Sequence, residues 1–157
     1  MSFLLTRNIS VEIYNCMELP HQEPIKLLGD VQYIDDTSVK SVYVVQSDHP
    51  VLEGHFPHVK IWPGVYLIEG MNQCAGYHAL KLAEQQVGKV NHEDYVTFVT
   101  TVDKCKFRNP VFPGDTLVYH ATLIKKRGNH VFYECVVTKN QLKCASATIG
   151  LTAKLLD

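Results

Sequence analysis

The chain has no surplus of either charge sign, no CxxC pair, no glycine-rich phosphate loop and no long apolar run. Each absence removes a class of function. Among 157 residues, 15 Lys and Arg stand against 16 Asp and Glu, a formal net charge of −1. That balance creates no field for a polyphosphate, so nucleic-acid binding by bulk electrostatics is excluded. No stretch approaches the roughly 18 apolar residues that a membrane helix needs, so no membrane contact is expected. The segment 1–7 lacks the length and order of a signal peptide. Five cysteines (Cys16, Cys74, Cys105, Cys135 and Cys144) are odd in number and scattered. They fit buried free thiols in a reducing compartment better than a disulfide framework, so a cytoplasmic setting is expected. No dinucleotide fingerprint is present either.

What is there reads as one domain over 1–157. Apolar residues make up 46% and charged residues 20%, ordinary globular usage that leaves disorder aside. Residues 10–16 alternate weakly, as a short helix or strand. Prolines make Leu19-Pro20-His21 up to Pro24 a loop. The runs 31–34 and 39–45 are rich in β-formers and flank the polar cluster Asp35-Asp36-Thr37-Ser38, which suggests a hairpin. A proline-free stretch over 64–86, opened by Pro63-Gly64 and stopped by Gly88, predicts a helix. Its apolar residues lie nearly all round, and Glu69 is its only charged residue before Lys81, so it is expected to be buried. Gly70 and Gly76 inside it cost about 1 kcal/mol each in propensity, which another backbone packed close by would explain. Strand-like runs follow at 95–107, 116–126, 130–139 and 141–155, the last three separated by short polar turns. The expected class is α+β: a curled antiparallel sheet of about six strands wrapped around one long buried central helix. Its exposed edges favour dimerisation.

The segment from His49 to Gln73 holds the residues that carry chemistry. Gly54 and Pro57 bracket His55 in what reads as irregular chain ahead of the buried helix, where functional residues gather. Pro63-Gly64 supplies free backbone N–H groups and the positive end of the helix dipole, an oxyanion site for a polarised carbonyl. Glu69 sits on the second turn of an apolar helix, where a buried carboxyl escapes its desolvation cost by keeping a proton. A carboxylic acid beside an imidazole is a general acid–base pair. The plainer alternatives are a structural histidine at position 55 and a Glu69 tied to Gln73 or to the backbone. His49, His55 and His58 do not make a metal site, because no further Cys or Asp stands at ligand spacing. Cys74 has no histidine at a motif spacing and reads as packing.

These residues resemble those of the bacterial FabZ-type 3-hydroxyacyl-[acyl-carrier-protein] dehydratases. The family pattern of G-H-F-P, then P-G-V, then E with Gln four residues on stands here as Gly54-His55-Phe56-Pro57, Pro63-Gly64-Val65, Glu69 and Gln73. The likeness extends to Leu19-Pro20-His21 and Pro24 upstream and to the stretch from Phe107 through Pro110 and Pro113-Gly114-Asp115 downstream. The resemblance implies a hotdog fold and a dimer whose sites combine His55 of one subunit with Glu69 of the other. It implies loss of water from a 3-hydroxyacyl thioester on an acyl carrier protein, in fatty-acid or polyketide-type biosynthesis, with no cofactor. In that scheme His55 takes the C2 proton, Glu69 protonates the departing C3 hydroxyl and the Gly64 N–H holds the thioester oxygen.

Around this core, Gln73, Gly54 and Pro57 read as supporting residues, and Phe56, Trp62 and Val65 as lining for an acyl tunnel. Lys104, Lys106 and Arg108 form an alternating basic stripe for carrier docking or, as is commoner for such a stripe, a solvated strand face. His58 and Lys60 replace the family's usual Gly and Pro, and Gly70 and Asn72 stand where small Ala residues are usual. These departures suggest a specialised paralogue. The sequence leaves open a hotdog acyl thioesterase, a non-catalytic acyl-binding subunit of a heteromeric complex, and an isomerase side activity. A homodimer, a heterodimer and a trimer of dimers all remain compatible with it.

Overall fold

Runs of β-forming residues, several of them alternating apolar and polar, set most of 95–155 as strands. The computed structural model describes residues 13–14, 19–33, 35–91 and 93–155. Along them run β1 (Ile13–Tyr14), β2 (Val31–Tyr33), β3 (Ser38–Val44), α1 (Val51–His55), α2 (Gly64–Val87), β4 (Tyr95–Phe107), β5 (Thr116–Arg127), β6 (His130–Lys139) and β7 (Leu142–Leu155). All strands join one antiparallel sheet in the order β1-β2-β3-β5-β6-β7-β4. The six expected strands are present, and a two-residue β1 extends the sheet. Ile34 and, within 10–16, all but Ile13 and Tyr14 (Cys16 included) lie outside the described residues.

The expected β2–β3 hairpin forms with Gln32 opposite Lys40. Its turn is held by Asp35 Oδ1, which accepts from the Thr37 amide (2.7 Å), the Thr37 hydroxyl (2.6 Å) and the Ser38 hydroxyl (3.1 Å). The Thr37 bonds favour the charged form and hold the Asp35 carboxyl below its ordinary range. Strands β5 to β7 form the expected meander. The turn between β6 and β7 corrects the sequence boundary: Gln141 is not a strand residue, because Asn140 and Gln141 both take positive φ (46° and 64°). A two-residue turn that matches strand twist requires that conformation at both positions.

Helix α2 lies across the sheet and is buried through most of Leu67–Leu80. The Gly88 amide, at φ 84°, bonds to the Glu84 carbonyl at 2.9 Å and stops the helix. The two helix glycines face close neighbours, but those are side chains and not backbone. A Cβ on Gly70 would overlap the Tyr119 ring, and one on Gly76 would stand 3.0 Å from Thr97 Oγ1. No helix among the described residues is long and apolar enough to cross a membrane. Cys105, Cys135 and Cys144 are free thiols, and burial pushes Cys135 up to about 12.

Burial of imidazoles makes the fold acid-sensitive. His78, fully buried with its Nδ1 2.8 Å from the Tyr133 hydroxyl, and His21 are both held below the ordinary histidine value of 6.5, chiefly by burial. The unfolded chain therefore binds more protons than the folded one below about 6.5, so stability is full above that pH and falls on acidification. Urea midpoints are expected to drop between about pH 7.5 and about pH 5.5. A flat or rising midpoint over that range contradicts the assignment.

Candidate active site

His55 is placed by a device that local sequence reading missed. His49 accepts the Val51 amide at Nδ1 (3.2 Å) and donates from Nε2 to the Pro24 carbonyl (2.8 Å), which starts α1 and leaves that imidazole fully engaged. Gly54 and His55 are therefore helical, correcting the irregular backbone expected there. A Cβ on Gly54 would meet open space. The helix ends at Phe56, which turns extended (φ −138°, ψ 99°) as a residue before proline must. His55, at the last helical position, lies 2.8 Å from the Ile61 carbonyl through Nδ1. Only an N–H can occupy that contact, so the neutral ring keeps its lone pair on Nε2, the form a general base requires.

Gly64 opens α2 beside it. Pro63 caps the helix without a side-chain bond; the Tyr66 amide bonds back to the Pro63 carbonyl at 3.0 Å, which leaves the Gly64 and Val65 amides without helical partners. A side chain at Gly64 would press the Phe107 ring, with a Cβ 3.0 Å from Cε1. His55 and Gly64 line one cavity of about 360 Å³, with Ile61, Leu67 and the wall formed by Phe107, Arg108, Asn109, Pro110 and Val111. That wall is locked to the segment before the helix by the Trp62 amide, which donates to the Val111 carbonyl at 2.8 Å. A base and free amides thus border one space. That is the geometry for taking a proton next to a carbonyl whose oxygen is held.

Glu69 faces elsewhere. Five residues along the helix from Gly64 turn it by about 140°. No hydrogen bond or ion pair links it to His55 among the described residues. Its carboxylate accepts from Gln73 Nε2 at Oε1 (2.8 Å) and from Asn72 Nδ2 at Oε2 (3.2 Å), and His21 Nε2 stands 3.6 Å from Oε1. Gln73, 1% exposed, is pinned at both ends: its Oε1 accepts the Leu27 amide (2.9 Å) and its Nε2 also donates to the Ile25 carbonyl (2.7 Å). The full burial expected of Glu69 is not found; 28% of the side chain is exposed in the single chain.

Of the remaining sequence candidates, Trp62 also lines the His55 cavity; it is 2% exposed, its ring packed edge-on against Tyr66 (5.2 Å) and His49 (4.8 Å) and tilted against Tyr43 (5.9 Å). The others are dispersed. Phe56, 4.3 Å from the His55 ring, is half-exposed and lines a separate apolar cavity of about 320 Å³ with Pro57, His58, Val59 and Ile61. Val65 points to solvent, 65% exposed. Lys104, Lys106 and Arg108 are all exposed and share one surface cavity with Glu134, Ser146 and Thr148. Lys104 takes φ 51° where β4 breaks register between Asp103 and Lys106, a bulge that re-aims the stripe. Arg108 borders both this cavity and that of His55. Of this cavity's lining, sequence reading singles out Arg108 only for carrier docking and misses Leu67, Phe107, Asn109, Pro110 and Val111; the only signal is the likeness of the Phe107–Asp115 stretch to the family.

Residues 19–148 match the FabA-like domain family. The chain belongs to that family. It is 37% identical over 140 residues to the 3-hydroxyacyl-[acyl-carrier-protein] dehydratase FabZ of Brucella ovis, covering 88% of this chain and 85% of the relative. Among solved structures it resembles the dehydratase heterocomplex ApeI:P from Xenorhabdus doucetiae (TM-score 0.71, 18% identity, 86% of this chain and 87% of that one). It also resembles a hot-dog-like protein from Thermanaerovibrio acidaminovorans (TM-score 0.57, 15% identity, 76% and 82%). The sheet wrapped on α2 is the hotdog fold of this FabA-like member.

Proposed function

We propose that this FabA-like chain dehydrates 3-hydroxyacyl thioesters carried on an acyl carrier protein, giving trans-2-enoyl thioesters for fatty-acid biosynthesis. The observation that carries the reading is the shared cavity of His55 and the Gly64 amide, with the His55 lone pair fixed on Nε2 by the Ile61 carbonyl. The thioester oxygen binds the free amides at the start of α2, which acidifies the C2 proton. Nε2 takes that proton, the C–H electron pair becomes the C2–C3 double bond, and the C3–O bond breaks as Glu69 protonates the departing hydroxyl.

The Glu69 that does this belongs to the partner subunit of a homodimer. Edge strand β4, hydrogen-bonded only to β7 and carrying exposed Phe98, Val102 and Phe107, supports pairing with a second copy. Phe107 touches Gly64, so such an interface runs directly into the site. Phe56, Val65 and Trp62 flank the acyl path, and the carrier docks on Lys104, Lys106 and Arg108, where Arg108 connects the basic surface to the His55 cavity. The cytoplasmic setting expected from the free thiols belongs to the same reading.

The test is mass spectrometry of a panel of 3-hydroxyacyl carrier-protein thioesters incubated with purified protein. Loss of one water with the thioester retained is the expected result. Release of free acid replaces the reading with a thioesterase, and binding without turnover replaces it with a scaffold subunit.

A further inference from the structure

Glu69 must change protonation state in every turnover of the proposed reaction, yet its closest partner cannot follow that change. Gln73 donates to Glu69 from Nε2, and its own Oε1 is occupied by the Leu27 amide. With a further bond from Nε2 to the Ile25 carbonyl, the amide is fixed in one orientation. It is a donor only, suited to an oxygen that keeps its lone pairs throughout. That assigns Oε1 the carbonyl role in the acid form and leaves the transferable proton to Oε2.

Asn72 stands at Oε2 with the opposite character. Its Nδ2 lies 3.2 Å from Oε2, and its Oδ1 has no hydrogen-bond partner among the described residues, although the side chain is only 7% exposed. A buried acceptor without a partner is costly and calls for a reason. A half-turn of the amide exchanges Nδ2 and Oδ1 at nearly constant shape, and no bond to Oδ1 resists it. With Nδ2 forward, Asn72 donates to the carboxylate; with Oδ1 forward, it accepts the Oε2 proton of the acid. Three residues from Glu69 on the same helix face, it reaches Oε2 in either orientation.

We infer that Asn72 is a positioning residue that holds Glu69 Oε2 in both of its protonation states while Gln73 holds Oε1. This rests on the dehydratase reading. Asn72 acts through Glu69 and touches no substrate atom. It matters only as far as the leaving group needs a proton, because the C2 proton goes to His55.

The experiment compares wild type with Asn72→Leu, which keeps the volume and loses the bonds, and Asn72→Ser, whose hydroxyl both donates and accepts. Each is assayed on a 3-hydroxyacyl thioester and on its 3-fluoro analogue, from which fluoride departs without full protonation. With the hydroxyl substrate, Asn72→Leu is expected to lower kcat about 10- to 100-fold with KM nearly unchanged, and Asn72→Ser to recover part of the loss. With the fluoro substrate the deficit is expected to shrink to a few-fold at most, about the size of the remaining acid assistance. Unchanged kcat in Asn72→Leu overturns the proposal, as does an equal loss on both substrates, the mark of a purely structural role. Should the Leu variant fail to fold, Asn72→Ser carries the same comparison: a larger loss on the hydroxyl than on the fluoro substrate supports the proposal, and equal rates or equal losses overturn it. Absence of elimination by wild type strikes at the dehydratase reading itself, a distinct result.

Discussion

Purified mixed dimers of His55→Ala and Glu69→Gln chains are expected to dehydrate substrate although each parent protein is nearly inert. Each substitution alone removes a proton-transfer group and is expected to lower kcat about 10²- to 10⁴-fold. The distinctive result is the mixture. Within one chain, His55 lines the cavity at the start of α2, whereas Glu69 is turned toward the loop over 21–27 and bound to Asn72 and Gln73. If a site takes its base from one subunit and its acid from the other, a mixed dimer has one intact site and one doubly impaired site. Its activity should be about half that of wild type per dimer, as two-fold symmetry requires. If base and acid come from the same chain, both sites of the mixed dimer are impaired and nothing is regained. Co-expression with two different tags, followed by sequential purification, isolates the mixed species, so the two arrangements give about half or almost none.

How legible this was in the sequence depends on whether the cause is local. Helix α2 was readable because its start, its stop and its all-round apolar surface belong to the stretch itself: Pro63-Gly64, Gly88, and a run with no charge but Glu69 before Lys81. Strands β5 and β6 were readable because Leu117, Tyr119 and Ala121, then Val131, Tyr133, Cys135 and Val137, are buried at every second position. Helix α1 was not. Five residues are too few to show a period, and it depends on His49, which is held in turn by the distant Pro24 carbonyl. Trp62 reads as a site aromatic from its place in the chain and does border the His55 cavity, but its burial in the core depends on a contact with Tyr43 of another element, which no local pattern shows. The partial exposure of Glu69 was hidden for a related reason. Apolar neighbours along a helix do not reveal which face the sheet covers, and this face meets the loop over 21–27. The His55–Gly64–Glu69–Gln73 pattern was legible as chemistry because those residue types at those spacings have few structural uses in common.

The largest stability effect is expected at the residue after Glu69. In a solvent-exposed helix, Gly→Ala gains about 1 kcal/mol from propensity and the unfolded state. At Gly70 the sign reverses, because the new Cβ falls within the ring of Tyr119, a side chain that is 0% exposed. Overpacking of this kind costs about 1–3 kcal/mol or more, so it outweighs the propensity gain. Gly70→Ala is therefore expected to lower the urea midpoint, and to lower kcat as well, since α2 can relieve the overlap only by moving its 69–73 turn away from the sheet. A double-mutant cycle isolates the cause. Tyr119→Leu alone leaves a cavity and costs about 2–4 kcal/mol, in the range of large-to-small core changes. Adding Gly70→Ala to that background should cost nothing or stabilise, because the methyl group now enters space that the ring has vacated. Equal destabilisation by Gly70→Ala in both backgrounds removes Tyr119 as the reason for the glycine. The expected sign change ties the missing Cβ at position 70 to one aromatic ring on β5, and through that contact ties the placement of Glu69 to the packing of the sheet.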